Sequence, residues 1–217
     1  LFALRIFCDF VFGTYSKDYY VHKVFTWFDL GSNFQVNMGI YLDNMAAVML
    51  LMVTGAAFLI HIFSTYYMKE DVRFGRFFVY LSLFTSAMLG LVLSDNFLSV
   101  FIFWELMGFC SYSLIGFYYE KEGAGHASMK AFMTTRVGDV FFLLGIVSLW
   151  TTIGSVTFVD IYAALATGSL LSDVYIFGLG IPLTTFAAFS IFMGTIGKSA
   201  QVPLQVWLPD AMWGPTP

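Results

Sequence analysis

The chain has 217 residues, 59% of them hydrophobic and only 11% charged, with a formal net charge of −4 and a mean hydropathy of +0.80. A soluble domain wets its surface with about 25% charged residues, so this composition excludes an ordinary water-exposed globule and places the chain in lipid. The acidic balance and the lack of a Lys/Arg cluster exclude nucleic-acid binding, and the isolated Cys8 and Cys110 exclude an iron–sulfur cluster or structural zinc held by this chain alone.

The first residues are already apolar, with no initiator Met and no secretory leader, and the last are Gly214-Pro-Thr-Pro217; both ends suggest a piece of a longer polypeptide. A spanning helix needs roughly 20 mostly apolar residues. Residues 1–13 read as the exit of an earlier span. Trp27 to Tyr41 contains the alternating Phe34-Gln-Val-Asn-Met38, which reads as a short hairpin or extended segment. Residues 1–42 therefore form an early span end plus an extracytoplasmic loop. Residues 43–217 form the transmembrane region, with spans over 43–67, 77–94, 97–118, 129–150 and 176–198 and a broken continuation over 199–217. The expected fold class is an all-α polytopic helix bundle with a small extended segment.

Lys and Arg counts orient the spans. The 68–76 loop carries Lys69, Arg73 and Arg76, and the 119–130 loop carries Lys121 and Lys130. The Ser94-Asp95-Asn96 turn and the 151–175 loop carry none. Alternation puts the two basic loops together on the cytoplasmic or matrix side, although Lys17 and Lys23 on the opposite side dilute the signal. Tyr66, Tyr67, Tyr118 and Tyr119 fall at span ends, as an aromatic belt requires.

Ionisable groups inside spans are costly and each needs a partner. Glu105 stands mid-span in Phe101-Ile-Phe-Trp-Glu-Leu-Met-Gly108. It is either a protonated acid bonded to neighbouring backbone or a carboxylate held by a base on another helix. Lys198 is the one comparably deep base of that kind. It precedes Ser199-Ala-Gln-Val-Pro203, and Pro203 frees the carbonyl of Ser199, so the helix should break just after the lysine. Irregular backbone in lipid is tolerated only where protein or water satisfies it, which puts Lys198 at a polar point. A lysine snorkelling from a helix end is the plainer reading, but the apolar Val202-Pro-Leu-Gln-Val-Trp-Leu-Pro209 that follows argues against it. Arg136 and Asp139, at i and i+3, can pair on one helix face, and a third charged group within reach would make them links in a relay. His61 reads as a hydrogen-bonded core residue rather than a proton carrier.

These strings occur in a telling order. Tyr80-Leu-Ser-Leu-Phe, Ser94-Asp-Asn-Phe97, Phe103-Trp-Glu105, Cys110-Ser-Tyr112 and Arg136-Val-Gly-Asp139 are followed by Gly197-Lys-Ser-Ala-Gln201, Trp207-Leu-Pro-Asp-Ala-Met212 and Gly214-Pro-Thr-Pro217. Together they resemble the antiporter-like membrane subunits of respiratory complex I, most closely the L-type or mitochondrial subunit 5, over about residues 27–217. The large subunit of multisubunit sodium/proton antiporters shares several of the strings, while Gly108-Phe-Cys-Ser-Tyr112, Arg136-Val-Gly-Asp139 and Gly214 look like the complex I version. Gln205 and Trp213 depart from the His and Glu that many members carry there.

The resemblance implies part of the first of two inverted helix repeats, with Glu105 and Lys198 as an interacting pair, and Asp139 and Arg136 nearby, on a proton-translocating path. It also implies that this chain does no redox chemistry itself. NADH, FMN, Fe–S clusters and quinone would belong to partner subunits, and the chain would sit among other membrane-arm subunits, beside an adjacent antiporter-like one, surrounded by lipid. The expected location is a bacterial cytoplasmic membrane, with the mitochondrial inner membrane as the alternative. A sodium/proton antiporter subunit and a purely structural membrane scaffold are the competing readings of function.

Overall fold

The computed structural model describes residues 1–13, 19–29, 31, 35–168 and 181–217. A first helix, α1 (Phe2–Val11), leads to an antiparallel hairpin of β1 (Tyr19–Asp29) and β2 (Gln35–Asp43). Three long helices follow, α2 (Asn44–Tyr67), α3 (Phe74–Leu93) and α4 (Phe97–Ile115). The chain then forms α5 (Glu122–Ile153), a short α6 (Phe158–Ala166), α7 (Leu183–Lys198) and two 3₁₀ turns at Gln205–Trp207 and Pro209–Trp213. Helices α2 to α5 are each long and apolar enough to cross a membrane. The architecture is the expected polytopic helix bundle. Phe34 and the stretch 169–180, which includes the start of the span expected over 176–198, lie outside the described residues.

Local chemistry sets the helix starts. The Asp43 carboxylate accepts the Ala46 N–H at 2.7 Å at the head of α2, and the Asn96 side chain accepts the Ser99 N–H at 2.8 Å at the head of α4. Helix α5 begins at Glu122, seven residues before the span expected at 129. Its polar first turns looked like loop, but Ala124, Ala127 and Ala131 are buried there, and Ala127 and Ala131 pack with Ile115, Trp207 and Ala211. Packing of small residues against the C-terminal turns overrides local polarity. The 151–175 stretch, expected as loop, likewise contains α6, capped by Thr157 Oγ1 accepting from the Asp160 N–H at 3.3 Å.

Helix α5 is the centre of the bundle. Within its most apolar window 44% of residues are buried, against 11–22% for the other three long helices. Around it, Phe142, Ile146, Val156 and Val36 form one core cluster with Phe97, Phe101 and Trp104 from α4. The other helices expose large apolar side chains such as Met52, Phe58 and Phe189, a surface suited to lipid or further helices.

The two ends of the bundle are tied differently. At one end Arg73 pairs with Asp71 at 3.8 Å and Glu120 at 3.5 Å, and its guanidinium lies 5.3–5.7 Å from the rings of Phe117, Tyr118 and Tyr119. This brings the 68–76 and 119–130 loops together. At the other end Asp95 and Asn96 gather the hairpin. The buried Asp95 carboxylate accepts the Gly39 N–H at 3.2 Å and the Asn96 amide at 2.6 Å, while that amide also donates to the Asn37 carbonyl at 2.8 Å. A bridge from Asn96 to Thr157 adds the head of α6 to the same end. The loops thus group as alternation requires.

Two outcomes follow from this arrangement. Single cysteines at positions 121 and 165 should be labelled by a membrane-impermeant maleimide from opposite faces of sealed vesicles; labelling from one face would overturn the orientation. Asp95→Ala strips a buried donor pair of its acceptor and should cost about 1–3 kcal/mol in thermal unfolding in detergent.

Candidate functional site

The charged residues of the spans meet where α4, α5 and α7 converge. Helix α4 presents Trp104, Glu105 and Gly108, α5 presents Arg136 and Asp139, and α7 ends on Lys198. What allows the convergence is glycine. A Cβ placed on Gly138 would lie 3.0 Å from the Met193 carbonyl oxygen and 3.2 Å from the Gly197 Cα, and one on Gly145 would lie 2.9 Å from the Ala187 carbonyl oxygen. From the other side, a Cβ on Gly194 would meet Phe142 at 2.8 Å. Small residues let helix backbones approach closely in a membrane, and here they do so along the whole α5–α7 seam. Asp139 and Lys198 are the sequence neighbours of Gly138 and Gly197, so the seam brings carboxylate and ammonium together.

Helix α7 ends in a Schellman motif. Ala200 takes a left-handed conformation at φ +50°, the Gln201 N–H donates to the Ile196 carbonyl at 3.0 Å, and the Ala200 N–H donates to the Gly197 carbonyl at 3.4 Å. The Trp207 indole N–H donates to that same Gly197 carbonyl at 3.1 Å. The break after Lys198 therefore stands, but its cause differs from the expected one. The turn at Ala200 closes the helix before Pro203 has any clash to impose. The Lys198 side chain is 12% exposed, so it does not snorkel to a surface.

The four charges form a row. Arg136 pairs with Glu105 at one end. In the middle, Asp139 Oδ2 stands 3.9 Å from Arg136 Nη1 and 3.9 Å from Lys198 Nζ. Both separations exceed the roughly 2.7–3.2 Å of an N–H···O hydrogen bond. Asp139 is thus shared by two cations and bonded to neither. Its other oxygen, Oδ1, accepts the Trp104 indole N–H at 2.7 Å, which fixes the carboxylate in place. Asp139 Oδ2 and Glu105 Oε1 are buried without a hydrogen-bond partner among the described residues.

The expected direct pair of Glu105 with Lys198 does not form. The Arg136 guanidinium occupies Glu105, while the lysine ammonium lies against Gly108, one turn further along α4, where the missing side chain leaves room for it. Arg136 and Asp139 form the expected i, i+3 ion pair at 3.9 Å and also link the two outer charges. His61 is remote from this row; its Nδ1 lies 2.7 Å from the Ala57 carbonyl, as a core histidine's would. Trp104 escaped the reading of the sequence as a site residue, although it stands next to Glu105. The spacing of Gly138, Gly145, Gly194 and Gly197 was the unread signal for the helix seam. Among the described residues no group of His, Cys, Asp and Glu has the arrangement of a metal site.

The site's geometry gives one stability expectation. Trp104→Phe keeps a ring but removes the donor that holds Asp139. It should destabilise the protein by about 1.5–3 kcal/mol, the range for a hydrogen bond to a charged group, read as thermal unfolding in detergent. Unchanged stability would mean that the indole does not anchor the carboxylate.

Comparison with known proteins covers nearly the whole chain. Residues 94–217 match the family model described as NADH:quinone oxidoreductase/Mrp antiporter, TM, and residues 27–78 match that of the NADH-ubiquinone oxidoreductase (complex I) chain 5 N-terminus. The chain is 45% identical over 217 residues to NADH-quinone oxidoreductase subunit L of Rickettsia felis, covering 100% of this chain and 32% of that protein. It is 47% identical over 195 residues to NAD(P)H-quinone oxidoreductase chain 5 of Synechocystis sp., covering 90% and 28%. It thus spans about a third of the length of the curated relatives it matches. Its fold resembles that of a chain in the Mrp complex from Dietzia sp., with a TM-score of 0.73, 24% identity and coverage of 98% of this chain and 22% of that one.

Proposed function

The chain belongs to the NADH:quinone oxidoreductase/Mrp antiporter transmembrane family, and from that premise we propose that it forms the first ion-conducting part of a proton-translocating membrane-arm subunit of NADH:quinone oxidoreductase. Redox chemistry belongs to partner subunits in this reading. They would carry FMN, Fe–S clusters, NADH and quinone, with an adjacent antiporter-like subunit as the lateral neighbour in a bacterial cytoplasmic membrane. The observation that carries it is the buried Asp139 carboxylate, equidistant from Arg136 and Lys198 inside a row of alternating charge.

Such a row supports switching. Opposite charges about 4 Å apart interact by roughly 4 kcal/mol at an effective dielectric of 20, and doubling the separation removes about half of that. Moving one charge across about 100 mV of membrane potential costs roughly 2.3 kcal/mol. Moving Lys198 from about 4 to about 8 Å from Asp139 therefore changes its energy by roughly 2 kcal/mol, close to the load it would work against. When Lys198 swings away from Asp139 it loses its counter-charge and gives up a proton; when it swings back it takes one. Arg136 keeps its proton throughout and passes the change to Glu105 as charge alone. The freedom of Asp139 Oδ2 and Glu105 Oε1 from fixed hydrogen bonds suits groups whose partners change.

The sodium/proton antiporter reading is kept by the shared fold. Sequence favours the oxidoreductase, at 45% identity to an oxidoreductase subunit against 24% to the aligned chain of the Mrp complex. A third reading makes the row an inert buried network.

Proton pumping by the full-length subunit in its assembled complex, measured in proteoliposomes beside a native gel, separates these. Lys198→Ala, Asp139→Asn and Glu105→Gln should each cut pumping by about tenfold or more, and the Glu105→Gln/Lys198→Ala double variant should be little worse than either alone, because groups acting as one unit are non-additive. Lys198→Arg should fail as well. Full pumping by Lys198→Ala in an assembled complex would leave the inert network as the better reading, and pumping that requires sodium would favour the antiporter.

A further inference from the structure

Away from the ion row, α3, α4 and α5 enclose a cavity of about 660 Å³ at the Lys/Arg-bearing end of the bundle. Small-molecule sites run to roughly 300–1,000 Å³. Its polar lining includes Arg76, Tyr80, Tyr119 and Glu122, and it continues over Phe109 and Met129. Arg76 stands in the first turn of α3. Its Nε donates to the Tyr80 hydroxyl at 3.2 Å, and its guanidinium lies 5.5 Å from the ring centroids of both Tyr80 and Tyr119. Its neighbour Arg73 pairs with Asp71 and Glu120, but among the described residues Arg76 meets no carboxylate. Glu122, the first residue of α5, lines the same cavity and meets no cation there. The cavity thus presents one unneutralised cation and one unneutralised anion, with His126 beside them.

Its depth is that of the helix ends and the tyrosine belt, where lipid headgroups lie. Phe109 and Met129, 48% and 56% exposed, extend it toward the apolar middle of the helices. A headgroup with a phosphate and a primary ammonium matches both charges. An anionic headgroup would satisfy Arg76 and set a like charge against Glu122. A choline nitrogen has no hydrogen to donate to Glu122. Tyr80, already accepting from Arg76, still has its own O–H to give to a phosphate oxygen.

We propose that this cavity is a binding site for a phospholipid of the phosphoethanolamine class. The phosphate is held by Arg76 with the Tyr80 and Tyr119 hydroxyls, the ammonium by Glu122, and an acyl chain lies along Phe109 and Met129. The site is independent of the ion row and rests on none of its residues.

The test uses the full-length protein in its complex, placed in nanodiscs of phosphatidylcholine doped equally with phosphatidylethanolamine and phosphatidylglycerol. Native mass spectrometry then reads which lipid is retained on stripping. Phosphatidylethanolamine should be retained over both others. Arg76→Gln should lower that retention about tenfold, the loss of one charge-assisted contact, and Glu122→Gln should abolish the preference over phosphatidylcholine. Tyr119→Phe, on a half-exposed ring, should weaken retention severalfold and serves if Arg76→Gln fails to assemble. A benzophenone side chain at position 129 should crosslink to lipid. Equal or better retention of phosphatidylglycerol, no retained lipid, or a crosslink to another protein segment would each overturn the proposal.

Discussion

The close approach of α5 and α7 is the constraint on which the rest of the structure depends. Four glycines, two on each helix, bring the backbones so close that a Cβ on Gly145 or Gly194 would collide with its neighbours and one on Gly138 or Gly197 would press against the facing helix at 3.0–3.3 Å. In lipid no hydrophobic effect drives helices together, so van der Waals contact along such a seam has to hold them. The seam is also what brings Asp139 and Lys198 to the same point. A larger residue at Gly138 or Gly197 would part carboxylate from ammonium as well as weaken packing, so the stability of the bundle and the geometry of the site are one property here.

Placing four charges within membrane-spanning helices, with Asp139 fully buried and the others partly so, is expensive. The effective penalty is several kcal/mol per ion even after relaxation, and mutual attraction offsets it only when the groups alternate in sign and remain close. The row alternates, Glu105, Arg136, Asp139, Lys198, and it draws on three helices. A single pair would have been simpler to stabilise. The presence of four, with the central carboxylate suspended between two cations rather than bonded to one, favours a role in which the charges change partners over one in which they only hold helices together. Trp104 keeps that suspension from collapsing, because it ties the far oxygen of Asp139 to α4.

The ends of the bundle answer a different need. Long helices meeting at one central seam could splay at their tips, and each tip is closed by its own chemistry. At the basic end Arg73 is held by two carboxylates and three aromatic rings; at the other, Asp95 accepts the Gly39 N–H and Asn96 donates to the Asn37 carbonyl of the hairpin.

The sequence by itself determined the lipid environment, the hairpin, the bundle, the grouping of the loops and the four charged residues that meet between α4, α5 and α7. Each of these rests on local composition or period: long apolar runs, alternation from 34 to 38, Lys and Arg counts, and charges standing alone in apolar surroundings. Only the tertiary structure decided who pairs with whom. Glu105 and Lys198 were the obvious partners by charge and depth, yet partner choice depends on which helix faces touch and at what height, and that is set by glycines and by the room beside Gly108, features with no charge to announce them. The early start of α5 and the Schellman closure at Ala200 escaped for the same reason. Both are decided by contacts with residues far along the chain, and a local reading carries no information about those until the helices are packed.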